Sequence, residues 1–253
     1  MKMNTLVKSF ALTAALATSF TASAELIDIT VDEGYATQSA SSDFVTLDKL
    51  NGGYVEQISF DAAGNFATSA FVSFGLFYDG SNTVKNVGLN NTYGLYATFN
   101  ASGYSASEGI VDYLVGETGG FELFLDLNND TKLQDESDVN SLEFDNDDVR
   151  LAFSNTLGDN LATSTTIFGQ TINAVTLDFW NVALTDEGEN YFVSPELFPR
   201  VITLTGDFDS LNPTEVVRGN IDVQFHEVPE PSTIAVLALG LIGLGASSRR
   251  KAK

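Results

Sequence analysis

The chain has 253 residues, with 34 Asp and Glu against 12 Lys and Arg, a formal net charge of −22. No basic face is available to neutralise phosphates, which excludes nucleic acid as a partner and makes an anionic membrane surface an unfavourable one for the body. With no cysteine and one histidine, His226, a disulfide framework, a thiolate metal site and a His-rich zinc site are all excluded.

Residues 1–24 read as a secretory signal peptide. Lys2 and Lys8 supply the positive start, an apolar stretch runs from Phe10 to Phe20, and Ala22-Ser23-Ala24 is the small-residue cleavage pattern. Residues 25–227 follow as a single acidic domain in which strand periodicity dominates. Phe66, Ala70, Val72, Phe74 and Leu76 share one face of a long strand, with Phe71 and Phe77 on the other. Leu95 to Phe99, Phe121 to Leu127, Val149 to Phe153, Val175 to Phe179 and Ile221 to Phe225 each alternate apolar with polar. Asn51-Gly52-Gly53, Asp79-Gly80, Gly119-Gly120, Gly158-Asp159 and Asp186-Glu187-Gly188 read as turns between strands. Leu133 to Phe144 is the one stretch with room for a short helix. The expected fold is all-β, an antiparallel β-sandwich, with a jelly roll as the alternative arrangement.

The most specific chemical feature is Asp126-Leu127-Asn128-Asn129-Asp130. Oxygen ligands at alternate positions of a loop suit a hard cation, so Asp126, Asn128 and Asp130 are candidate calcium ligands. A full EF-hand loop would continue with Gly and Glu where this chain has Thr131 and Ser137, and the competing reading is an Asn/Asp-rich turn. Asp145-Asn146-Asp147-Asp148 is a second acidic knot that either shares that cation or, as the favoured reading, forms a solvated loop, and Asp207 and Asp209 lie in another acidic turn. Catalysis has little support: His226 falls on the polar side of its strand, and no nucleophile motif is present. Trp180, Tyr93, Tyr96 and Tyr104 are candidates for stacking on sugar rings, although strand aromatics more often fill cores.

Residues 228–253 form a second tripartite address. Pro229-Glu230-Pro231 precedes the apolar run Thr233 to Ala246, and Arg249, Arg250, Lys251 and Lys253 close the chain. About 18 uncharged residues can cross a bilayer, and the basic end stays cytoplasmic. Without the two addresses, residues 25–229 hold 33 acids and 6 bases, net −27.

The tail resembles the PEP-CTERM sorting signal of exopolysaccharide-producing Gram-negative bacteria. That resemblance implies recognition by an exosortase-type membrane protease, removal of the tail, and display at the cell surface or release. The body is similar to the flocculation-associated PEP-CTERM proteins. The similarity lies in Asp48-Lys49-Leu50-Asn51-Gly52-Gly53-Tyr54, Gly88-Leu89-Asn90-Asn91-Thr92-Tyr93-Gly94-Leu95-Tyr96 and Phe124 to Thr131, and further in Asp148 to Ala152, Tyr191-Phe192 and Gly206-Asp207-Phe208-Asp209. It implies a non-enzymatic matrix protein that holds cells together with exopolysaccharide. A carbohydrate-binding module is the alternative, and a surface glycosidase a more distant one.

Overall fold

A computed structural model describes residues 26–143, 148–196, 198–209 and 216–226. Leu26–Glu227 form one compact unit. The fold is all-β and antiparallel, as the alternation requires. Its main sheet contains β3 (Lys49–Phe60), β4 (Asn65–Asp79), β6 (Gly94–Glu108), β7 (Val111–Asp126), β11 (Thr156–Ile167), β12 (Gln170–Trp180), β15 (Val201–Gly206) and β16 (Val216–His226). These pair in that order, and β16 returns to β3. The two halves of the sandwich are joined at their other margin too, because Val111–Leu114 of β7 pair with Ala162–Thr165 of β11. Half of the molecule is therefore a closed ring of eight strands, which leaves no exposed edge there. Ring neighbours follow chain order, so the connectivity is a meander and not a jelly roll. The other half of β7 pairs with β10 (Val149–Ser154), which pairs in turn with β13 (Ala183–Leu184).

Leu26 bridges to His226, so both ends of the body leave at one end of the ring. A small sheet of β14 (Phe192–Ser194), β1 (Ile29–Asp32) and β2 (Phe44–Leu47) packs into that end, with two short helices, α1 (Glu33–Ala36) and α2 (Asp186–Tyr191). Asp32 caps α1 by accepting from Gly34 N at 2.9 Å, and Thr185 caps α2 by accepting from Gly188 N at 3.0 Å. Ile29, Val31, Leu47, Phe74, Phe77, Tyr93, Phe121, Phe179, Tyr191 and Phe225 belong to the resulting core. Each fully buried side chain of this size contributes about 1.5–3 kcal/mol.

Three of the five expected turns lie inside strands. Gly52 and Gly53 lie inside β3, Gly119 and Gly120 inside β7, and Gly158 and Asp159 inside β11. At these sites glycine serves close approach or a bulge, not a change of direction. The register of β3 against β4 shifts between Asn51 and Gly52, where Gly52 faces Phe74 and Asn51 faces Leu76. Gly75 is therefore an extra residue, and it reverses the inside and outside of everything after it. Phe77 becomes fully buried, whereas Leu76, expected on the core face, is 42% exposed. Asp79-Gly80 is a real turn, with Gly80 at φ +58, and it leads into β5 (Asn82–Thr83), which pairs back on β4. Asp186-Glu187-Gly188 lies in α2.

This contrast gives a test of two glycines. A Cβ on Gly103 would overlap the carbonyl oxygen of Val115 on the paired strand, whereas one on Gly80 would meet nothing within 4 Å. Gly103→Ala is expected to cost about 2–3 kcal/mol by overpacking, and Gly80→Ala about 1 kcal/mol from left-handed backbone alone. Urea denaturation of the two variants checks the ranking.

The expected helix over Leu133 to Phe144 does not form within the described part of that stretch. Lys132–Leu133 (β8) and Leu142–Glu143 (β9) make a small hairpin instead. The loop that carries it lies over the outside of the ring. Gln57 of β3 donates to the Ser137 carbonyl at 2.8 Å, and Arg218 of β16 pairs with Glu136 at 3.2 Å and donates to its carbonyl at 2.9 Å. The outward aromatics Phe71, Tyr96 and Phe124 stack in a row on this outer face, and Tyr96 is only 2% exposed.

Candidate functional site

β7 ends at Asp126, and the loop turns back at once. Asp126 is 3% exposed. Its Oδ2 accepts from Thr131 N at 2.8 Å and its Oδ1 from Asn128 N at 3.3 Å. Asn128 Nδ2 donates to Asp130 Oδ2 at 3.2 Å, and Asn129 adopts φ +58. The Thr131 hydroxyl and the Tyr96 phenol both donate to Asp148 Oδ2, at 2.6 and 3.0 Å. Burial, then the charge of Asp148 and its hydrogen bond, push the Tyr96 phenol upward, so it remains a donor.

The candidate ligands Asp126, Asn128 and Asp130 thus come together as a hydrogen-bonded turn, in which both Asp126 oxygens already meet amide hydrogens. Among the described residues no group of three or more carboxylate or imidazole side chains converges as a ligand set. Asp145, Asn146 and Asp147 lie outside the described residues. Asp207 and Asp209 continue the ladder of β15 and β16, accepting from Asn220 N and Arg218 N at 3.0 Å each. Asp126→Ala is expected to destabilise by about 1–3 kcal/mol, because two amides lose their acceptor, while Asp126→Asn retains most of that stability. Thermal melts of both variants measure the difference.

Two of the four stacking candidates are core residues: Tyr93 is 0% and Tyr96 2% exposed. Trp180 and Tyr104 are exposed, but they occupy opposite ends of the strand ladder. Trp180 faces Thr156 at the start of β11, whereas Tyr104 faces Val115 next to the closing pairs of the ring. They cannot form one platform. Trp180 lies against Gly158, where any Cβ would strike the indole. His226, expected to be exposed, is half-buried beside Leu26, and neither ring nitrogen finds a hydrogen-bond partner among the described residues.

One arrangement has no counterpart among the residues singled out from sequence. Glu56 and Thr68 point into the closed ring, where the Thr68 hydroxyl donates to Glu56 Oε1 at 2.5 Å. They lie on a small cavity, open to solvent on one side, among Ile58, Phe66, Phe99, Leu114 and Val217. The inward parity of β3, with Leu50, Tyr54, Glu56 and Ile58 at even positions, is the signal that finds Glu56 once the strand is recognised.

The surface is acidic throughout. Lys49 pairs with Asp222 at 3.0 Å and Arg150 pairs with Glu122, but 33 acids face only 6 bases between residues 25 and 229.

The tail decides the destination of the chain. Residues 227–251 match the PEP-CTERM protein-sorting motif. The PEP-CTERM signal makes this an exported protein that is processed by an exosortase, a membrane protein, and released or displayed at the cell surface. The motif residues Pro229, Glu230, Pro231, Arg249, Arg250 and Lys251 lie outside the described residues, as do Ala22 and Ala24 of the signal peptide. No curated protein and no solved structure matches the chain.

Proposed function

We propose that the processed body is a non-enzymatic matrix protein that promotes cell aggregation, as floc or biofilm, together with exopolysaccharide. The observation that carries this reading is the joining of a surface-sorting signal to a body of 33 acids and 6 bases. Such a body repels acidic polysaccharide directly and attracts divalent cations, which bridge carboxylates on both partners. The resemblance to flocculation-associated proteins supports the same role. Cells lacking the gene are expected to settle more slowly than the parent, and a chelator is expected to disperse parental flocs. Unchanged settling after deletion rejects the role, and chelator-resistant flocs reject the bridging.

The exposed ring of Trp180 favours a second reading, direct carbohydrate binding. Sugar rings stack on a flat, solvent-facing indole. Under that reading Trp180→Ala lowers retention of the protein on isolated polysaccharide without lowering its melting temperature.

A further inference from the structure

The closed half of the ring is hollow where the other end is plugged by β1, β2, β14 and the helices. Its wall is hydrocarbon, from Ile58, Phe66, Phe99, Leu114, Val175 and Val217. Two polar side chains besides Glu56 reach it, and both are committed. Asn160 accepts from Gly116 N and donates to the Gly116 and Gly158 carbonyls, the latter two at 2.9 Å, which ties β7 to the bulge of β11. Thr68 has one hydroxyl hydrogen, placed between Glu56 Oε1 and the Gln57 carbonyl at 3.1 Å.

Among the described residues, Glu56 is the only ionisable one on the cavity wall. The next one on the same inward face of β3 is Tyr54, which donates to the Asp207 carbonyl at 3.1 Å. Burial and the charges of Glu56, Asp207 and Asp209 push its phenol upward, so it stays neutral. An acid alone in hydrocarbon is costly to ionise, and an opposite charge offsets that cost. The acidic exterior concentrates cations outside the mouth.

We propose that this cavity is a binding site for a small organic cation with an apolar body, an alkyl or aryl amine, whose ammonium pairs with Glu56 while its hydrocarbon lies among Phe66, Phe99 and Leu114. The displaced proton goes to solvent. Burial raises the Glu56 carboxyl from 4.5 to about 7, with the Thr68 bond acting against the rise, so the free site exchanges its proton near neutrality.

The test uses the processed protein recovered from its own cells and three matched probes: hexylamine, hexanol and hexanoate. In 0.5 M salt, which screens surface carboxylates, titration calorimetry at pH 8 is expected to show hexylamine binding at least tenfold tighter than hexanol, and no binding of hexanoate. Glu56→Gln is expected to remove that preference while hexanol binding stays the same. Lowering the pH from 8 to 5.5 weakens hexylamine, but not hexanol, by at least tenfold. Ala101→Leu, which fills the cavity, weakens both. Equal hexylamine affinity in the parent and in Glu56→Gln overturns the proposal, as does a failure of both hexylamine and hexanol to bind.

Discussion

Replacing Glu33 with Ala is expected to remove about 3–5 kcal/mol of stability, a large share of the roughly 5–15 kcal/mol that folded domains possess. Glu33 is 4% exposed at the start of α1. Its Oε1 accepts from Gly88 N at 2.8 Å and from the Tyr93 hydroxyl at 2.7 Å, and that hydroxyl lies 3.2 Å from the hydroxyl of Tyr191. One carboxylate therefore joins α1, the loop before β6, and α2, three segments that share no ladder of main-chain bonds. Burial and the adjoining Tyr191 and Glu33 push the Tyr93 phenol upward, so it stays a donor at every working pH. Alanine leaves the amide and the phenol buried without an acceptor. Glu33→Gln keeps an oxygen where both donors point, so its cost is about 1 kcal/mol. Guanidinium denaturation of the two variants distinguishes the causes. Equal losses would mean that the charge matters and the acceptor does not.

Much of the sheet is legible because burial on one face forces alternation. The runs at Leu95 to Phe99, Val175 to Phe179 and Ile221 to Phe225 fall inside β6, β12 and β16. Glycine is where the reading fails, for a physical reason. The missing side chain serves positive φ at Gly80 and close strand approach at Gly52, and the sequence around the two is equally rich in polar residues. The bulge at Gly75 then moves Phe77 inward and Leu76 outward, a re-phasing that becomes visible only with the partner strand in place. The loop after β7 is misread as helical because its conformation is set by Gln57 and Arg218, which lie 80 and 82 residues from their partners. At the candidate site, the Asp/Asn spacing correctly marks a tightly organised loop. It cannot distinguish oxygens aimed at a cation from oxygens aimed at amides, because both uses require short acidic side chains at alternate positions.

Glu56 should give the protein a stability component that falls as pH rises, the reverse of the usual carboxylate. In the folded ring burial lifts its carboxyl from 4.5 to about 7, with the Thr68 hydrogen bond offsetting part of the rise. Between these two values the folded state keeps a proton that the unfolded chain has released. Folding is therefore favoured most by this group below the unfolded value, and the advantage is lost as pH climbs through the folded one. At 1.36 kcal/mol per unit the full swing is about 3 kcal/mol, an upper figure for a half-buried group. The many surface carboxylates add their own pH dependence, so the informative quantity is the difference between the parent and Glu56→Gln. Glutamine retains the acceptor for Thr68 and never ionises. The variant is expected to gain on the parent by about 2–3 kcal/mol between pH 5 and pH 8, with the change centred below 7. Thr68→Val removes the one donor that favours the carboxylate and should shift that change to higher pH. Denaturation curves at half-unit intervals provide the measurement. A constant difference between parent and Glu56→Gln across that range would place the Glu56 carboxyl in water and not inside the ring.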